Sequence, residues 1–436
     1  MSGDGTLLDG RRRALLGAAG AAAAAGAASL LGRRLFGLAE ARAADSPPPT
    51  GARAPAPRAK HCIVLWMNGG PSHLDTFDPR PGTTWGGPFK AIKTRAPGVS
   101  ISEHLPQVAA EAHRLAIVRG MTSREGSHQR AQQLLHTGHT PNPTVEHPAL
   151  GAYISHAAGG AAGALPAFVS LGGPSAGGGF LGVQHAPLIV QDPGSMPRHI
   201  ALPPHVDDAR FTRREAALAA QESDFAARTG DIRVAGRRAV HDRASRMMRS
   251  PELRAFDASE EPEATRAAYG DTPFGRGCLT ARRLVEAGVR YIEVVLDGWD
   301  THDDNFDRVK RLSGVLDPAM AALLRDLAAR GLLDTTLVVW MGEFGRTPRI
   351  SGRDGRDHWP AAWTAVLAGA GIRGGIAHGE TDAEGGRVVK DPTSVPDLFA
   401  TIAAQLGLEP LATFDTPLGR PISLTDGGTP VAALIR

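Results

Sequence analysis

The run Leu337-Val338-Val339-Trp340-Met341 is apolar at every position and passes without a linker into Gly342-Glu343-Phe344-Gly345-Arg346. A strand apolar on both sides needs cover on both sides, which restricts the chain to a sheet sandwiched by helices. Five more short runs have this character: His61 to Met67, Leu115 to Arg119, Ala167 to Leu171, Tyr291 to Leu296 and Ala365 to Gly369. Between two of them the spacing turns helical. Pro318 is expected to open a helix through Met320, Leu323, Leu324 and Leu327, and Gly331 to stop it. The expected fold is α/β, a doubly wound, mainly parallel sheet with helices on both faces.

One segment differs. Residues 207–268 are rich in Ala, Arg and Glu, with Phe211, Leu218, Phe225, Met247, Met248, Leu253 and Phe256 at helix-like intervals. This is a helical insertion, either a subdomain packed on the sheet or a lid over its mouth.

The N-terminus points to export. Arg11-Arg12-Arg13 precedes an Ala/Gly/Leu stretch, and Ala41-Arg42-Ala43 offers a small-x-small cleavage site, so residues 1–44 are expected to form a twin-arginine signal peptide. The stretch is weakly apolar for a permanent span, and any membrane contact is expected only through an uncleaved leader. Residues 45–60, Pro- and Ala-rich, read as a linker. Residues 61–436 are expected to form one domain. The leader carries six arginines against Asp4, Asp9 and Glu40, which accounts for the whole formal charge of +3. The basic balance therefore gives no reason to expect nucleic acid. Cys62 and Cys278 lie in apolar surroundings; an oxidised compartment permits a bridge, but two separate buried thiols are expected.

Acid and histidine clusters follow the strands. In α/β folds, ligands gather outside the carboxyl ends of strands. The first strand ends in Asn68-Gly69-Gly70-Pro71-Ser72-His73-Leu74-Asp75, a tight turn offering Asn68 and Asp75 as donors; an ordinary turn with capping acids reads equally well. The strand ending at Leu296 leads to Asp300-Thr301-His302, whose two donors point one way if the backbone is extended. Glu343 follows the strand ending at Met341, and Asp357-His358 lies on the next loop. These residues are candidate ligands for a divalent metal, and Arg346 and Arg356 are candidate anchors for an anionic substrate. Ser127-His128-Gln129-Arg130 offers a hydroxyl at a helix start with an imidazole and a guanidinium nearby. Ser127 is there a nucleophile, with His128 and Arg130 as catalytic partners, or else an N-cap.

Together, Asn68-Gly-Gly-Pro-Ser-His-Leu-Asp75, Trp299-Asp300-Thr-His302, Gly342-Glu343-Phe-Gly-Arg346-Thr-Pro and Gly355-Arg-Asp357-His358-Trp-Pro resemble the exported bacterial domain-of-unknown-function 1501 family. That family is sulfatase-like and belongs to the alkaline phosphatase superfamily. The resemblance spans about residues 61–408 and implies the alkaline phosphatase fold. It also implies that Asp300, His302 and His358 correspond to metal ligands. Asn68 stands where the superfamily has a metal-bridging aspartate, and Phe344 stands where it has a histidine. Arg130 and Thr137-Gly138 resemble parts of the nucleophile helix, with Gly126 at the nucleophile's place and Ser127 beside it.

Two functions follow. One is an exported, periplasmic or secreted hydrolase of phosphate or sulfate esters, dependent on a divalent cation (Zn, Ca, Mg or Mn) and acting on an anionic ester or a sulfated or phosphorylated glycan. The other is a non-catalytic envelope scaffold that binds anionic glycans on a degenerate version of the fold.

Overall fold

The computed structural model describes residues 58–159, 163–231 and 233–436; the expected leader and most of the expected linker lie outside these residues. All described residues belong to the unit Ala56–Arg436.

The expected strands form, with small shifts at their ends. They are β1 His61–Met67, β2 Leu115–Thr122, β3 Phe168–Leu171, β5 Tyr291–Leu296, β6 Thr336–Met341 and β9 Trp363–Gly369. Short strands that bear on the sheet and the site are β4 Leu188–Val190, the site strands β7 Gly345–Arg346 and β8 His358–Trp359, then β10 Ile376–His378 and β11 Thr393–Ser394. The nine-stranded sheet runs β10-β2-β9-β6-β1-β5-β3-β4, with β11 against β2. Only β9 runs against its neighbours β2 and β6; every other pairing in this sheet is parallel.

Alternation along the central strand builds two cores. Ile63, Leu65 and Met67 face one, with Leu279 and Leu284 of α5 (Pro273–Glu286) and Met320, Leu323 and Leu327 of α6 (Asn305–Ala329). Cys62, Val64 and Trp66 face the other. Against them pack Leu134 and Leu135 of α1 (His128–Thr137), Tyr153 and Ile154 of α2 (Leu150–Ala157), and Leu398 and Phe399 of α7 (Val395–Gln405). Helices therefore cover both faces, as continuous apolar strands require. Cys62 and Cys278 are free buried thiols on opposite faces, so no bridge joins them.

Pro318 does not open its helix. It sits inside α6, thirteen residues after the helix begins at Asn305. Proline normally clashes with the residue four positions back. The strain falls on the carbonyl of Gly314, and the buried stripe from Leu316 to Leu327 fastens the helix to the sheet across the defect.

The insertion is helical, with α3 (Asp208–Thr229) and α4 (Arg233–Met248). None of the residues of α3 is buried. α4 packs on the turn Val183–His185, where Arg243 donates to Gln184 O at 2.7 Å.

Candidate metal centre

The carboxyl ends of β1, β5 and β6 meet at one edge of the sheet, since these strands are parallel neighbours in register. Each delivers a loop there. The β1 loop turns at Gly69, whose φ of +113° is open to glycine. A Cβ at Gly69 would collide with the backbone of Trp299 and Asp300, so the close approach of the β1 and β5 loops depends on this residue. Beyond β6, β7 and β8 pair with Arg346 opposite His358, which brings His358 back over the same edge. The N-terminus of α1 arrives from the other face carrying His128.

Three imidazoles and one carboxylate converge. Asp300 Oδ1 lies 3.3 Å from His128 Nε2, 3.1 Å from His302 Nε2 and 3.4 Å from His358 Nε2. The Nε2 atoms of His302 and His358 are 2.9 Å apart. Donor atoms of His128, Asp300 and His358 all fall within 4.8 Å of one another. Ligands of one tetrahedral zinc, with bonds of about 2.0–2.1 Å, stand about 3.3 Å apart.

The outer nitrogens fix the chemistry of the inner ones. His128 Nδ1 is 2.7 Å from Glu343 Oε1, His302 Nδ1 is 2.9 Å from Asp357 Oδ1, and His358 Nδ1 is 2.8 Å from Gly126 O. Carboxylates and carbonyls only accept, so all three Nδ1 atoms donate. In the neutral rings each Nε2 then carries a lone pair; those of His128 and His358 gather with the Asp300 carboxylate, and that of His302 approaches Asp300 and His358 from the side. His128 Nε2 is buried and has no hydrogen-bond partner. This donor set fits a divalent cation, with a carboxylate or carbonyl behind each imidazole as metal-binding histidines usually have.

Electrostatics agree. Burial opposes ionisation of Asp300, yet the Arg346 guanidinium at 2.7 Å and the neighbouring imidazoles bring its pKa down to about 2. Glu343 raises the His128 pKa through its hydrogen bond. Burial lowers that of His358, and Arg346 and the other two imidazoles add to the effect.

The structure separates the sequence-selected residues into three groups. Asp300, His302 and His358 meet at the centre. Glu343, Asp357 and Asn68, expected as ligands, stand one layer out. Glu343 is fully buried; its carboxylate accepts from His128 and from Gly69 N at 3.0 and 3.2 Å, which leaves no oxygen facing the cluster alone. Asp357 orients His302. Asn68 accepts from Gln132 Nε2 at 2.8 Å and donates to Asp297 Oδ1 at 2.9 Å, so its amide is spent within the loops. Asp75 is not in the cluster at all. It forms a buried pair with Arg356, Nε to Oδ2 at 2.8 Å, and also accepts from Asn305.

Neither arginine expected to hold substrate reaches solvent. Arg356 is fully buried and donates to Asp75, Thr347 O, Pro348 O and Trp85 O. Arg346, also fully buried, donates to Gly69 O, Gly70 O, Arg356 O and Asp300. They brace the loops and the ligand. Ser127 occupies the N-cap position of α1, exposed and without a capping bond from its side chain. Arg130 pairs with Glu125 at 2.7 Å on the surface.

Sequence reasoning placed His128 among the catalytic groups and did not offer it as a donor to the cluster. Its position as the first residue of α1 was the available signal, since side chains there point away from the helix body toward the loop edge. Phe344, standing where a histidine was expected, packs its ring 4.5 Å from His358 and 5.0 Å from His128.

Among solved structures, the lipoteichoic acid synthase of Listeria monocytogenes is similar at 9% identity, covering 84% of this chain and 75% of its own, with a TM-score of 0.34. A sulfatase from Pseudoalteromonas is similar at 13% identity (80% and 68% covered, TM-score 0.37). A protein of the alkaline phosphatase superfamily from Vibrio parahaemolyticus is similar at 10% identity (86% and 75% covered, TM-score 0.38). No curated relative matches the chain. The family model of a protein of unknown function, DUF1501, matches residues 59–435, nearly the whole described chain, and the protein belongs to that family.

Proposed function

We propose that the chain is an exported, metal-dependent hydrolase of phosphate or sulfate esters, with the metal held by His128, Asp300, His302 and His358. The observation that carries this reading is the commitment of all three Nδ1 atoms to acceptors, which leaves three Nε2 lone pairs facing one carboxylate. A divalent cation bound there supplies charge against the ester oxygens and eases deprotonation of water. The chain's own residues supply the rest. Glu343, Asp357 and the Gly126 carbonyl hold the imidazoles in one tautomer, and Arg346 keeps Asp300 ionised.

Water is the favoured nucleophile. Ser127 stands at the N-cap of α1 with its side chain exposed and makes no capping bond. With Arg346 and Arg356 buried and Arg130 paired with Glu125, an anionic ester would be bound mainly through the cation itself. A sulfated or phosphorylated glycan is the substrate class consistent with this, and the periplasm or exterior is the location that the leader implies. No described helix is long and apolar enough to cross a membrane.

The test is the metal content of the purified mature protein together with hydrolysis of p-nitrophenyl phosphate and p-nitrophenyl sulfate. The reading expects bound divalent metal and a rate on at least one ester, both reduced in His358→Ala. Ser127→Ala is expected to leave the rate unchanged. A metal-free protein inert toward both esters defeats the hydrolase and favours the scaffold reading.

A further inference from the structure

The opposite edge of the sheet carries a second polar site. Where β1, β2 and β6 begin and β9 ends, a cavity of about 450 Å³ is lined by Arg58, His113, Arg114, Asp334, Gly371 and Arg436 among others. The six residues of β6, at about 3.3 Å each, separate this edge from the metal centre by about 20 Å. The cavity therefore belongs to different chemistry.

Two of its three guanidinium groups are uncommitted among the described residues. The side chains of Arg58 and Arg436 are exposed and have no hydrogen bond or ion pair among the described residues. Arg114 spends only Nε, on Glu111 Oε2 at 2.9 Å. His113 lines the cavity beside Arg114. Burial lowers the His113 pKa, and the charges of Arg95 and Arg114 lower it further, which marks the surroundings as cationic. Behind the wall lies Gln405, 1% exposed, with neither amide atom hydrogen-bonded. A Cβ on Gly371 would strike Gln405 Oε1 and come within 3.1 Å of Arg58 Cδ, so the buried amide and the free guanidinium flank one glycine. A buried amide without partners costs about 1–3 kcal/mol unless something at the site answers it.

We infer that this cavity binds a tetrahedral oxyanion, a phosphate or sulfate group. The guanidinium groups of Arg58 and Arg436, with that of Arg114 shared with Glu111, outweigh the lining carboxylate of Asp334. Guanidinium forks match oxyanion oxygens in pairs, and the His113 ring lines the cavity beside them. The group is either a free anion or part of an anionic lipid headgroup, and the two sources share this recognition chemistry.

The experiment titrates inorganic sulfate and inorganic phosphate into the mature protein by calorimetry, in wild type, in an Arg58→Gln/Arg436→Gln variant and in His358→Ala. Both arginines are exposed, so the double variant is expected to fold, and circular dichroism checks that it does. Binding of one oxyanion equivalent should persist in His358→Ala and weaken on the order of tenfold or more in the double variant, since each lost charged hydrogen bond is worth about a factor of ten. Sedimentation with phosphatidylglycerol vesicles identifies the source. Arginine-dependent co-sedimentation supports a headgroup, and arginine-dependent binding of the free anions alone supports a soluble ligand. If the double variant binds both anions and vesicles as the wild type does, or if neither probe binds His358→Ala, the proposal is overturned.

Discussion

Glu343→Gln is the most informative single change at the metal centre. Glu343 is fully buried, and one of its oxygens takes both the His128 Nδ1 proton, at 2.7 Å, and the Gly69 amide, at 3.0 Å. Glutamine keeps the volume but replaces one acceptor oxygen with a donor. Whichever way the amide turns, either His128 or Gly69 loses strength in its hydrogen bond, and the charge that raises the His128 pKa disappears. Groups that orient a metal-binding histidine are worth about 10–100-fold in metal affinity, or about 1.4–2.7 kcal/mol. The upper end is expected because the Glu343–His128 contact is charge-assisted and Glu343 is shielded from water. Asp357→Asn provides the internal control. Its contact with His302 is of similar length, 2.9 Å, but Asp357 is 70% exposed, so the loss should stay under about tenfold. Competition with a fluorescent chelator measures both affinities on one scale. Equal losses in the two variants, or an unchanged affinity in a correctly folded Glu343→Gln protein, would refute the assignment of Glu343 to the support of His128.

Arg356→Met should destabilise the protein by about 3–5 kcal/mol in urea unfolding, because it strands the Asp75 carboxylate without compensation; Asp75→Leu in the same chain should recover much of the loss. Gly69→Ala should cost both stability and metal, since its φ of +113° and the backbone of Asp300 leave no room for a methyl group; metal occupancy equal to wild type would contradict this. The acid limb of stability should carry the mark of His147 and His185. Burial brings each pKa down to about 4, helped by His139 stacked on His147 and by His156 facing His185. In the unfolded chain both return to about 6.5. As pH falls the unfolded state therefore takes up protons first, so their contribution is complete above about pH 6.5 and is lost between there and pH 4, up to about 3 kcal/mol for each residue. Urea midpoints at pH 7 and pH 4.5 check this, and His147→Phe should flatten the difference.

What the sequence showed well was the sheet. Short, continuous apolar runs rich in β-branched residues, such as His61 to Met67, suit strands covered on both sides, and a donor placed just after such a run is carried to the sheet edge. Asp300, His302 and His358 were legible for that reason. The division of labour among acids was not, because it depends on depth. Glu343 follows β6 by two residues and Asp300 follows β5 by four; the shorter connection keeps Glu343 under the Gly69 amide, while the longer one lets Asp300 rise to the imidazoles. A helix then had to arrive over Glu343 before His128 could stand between it and the cluster, and that contact joins residues 215 positions apart. The arginines misled for a related reason. A guanidinium beside a candidate site reads as a substrate anchor when only its charge is visible, but loops that cross as closely as those at Gly69 and Gly355 leave inward carbonyls without partners. Arg346 donates to three such carbonyls and Arg356 to three more. With both arginines absorbed in holding the loops, the proposed hydrolysis of an anionic ester would draw its positive charge at this centre from the proposed cation.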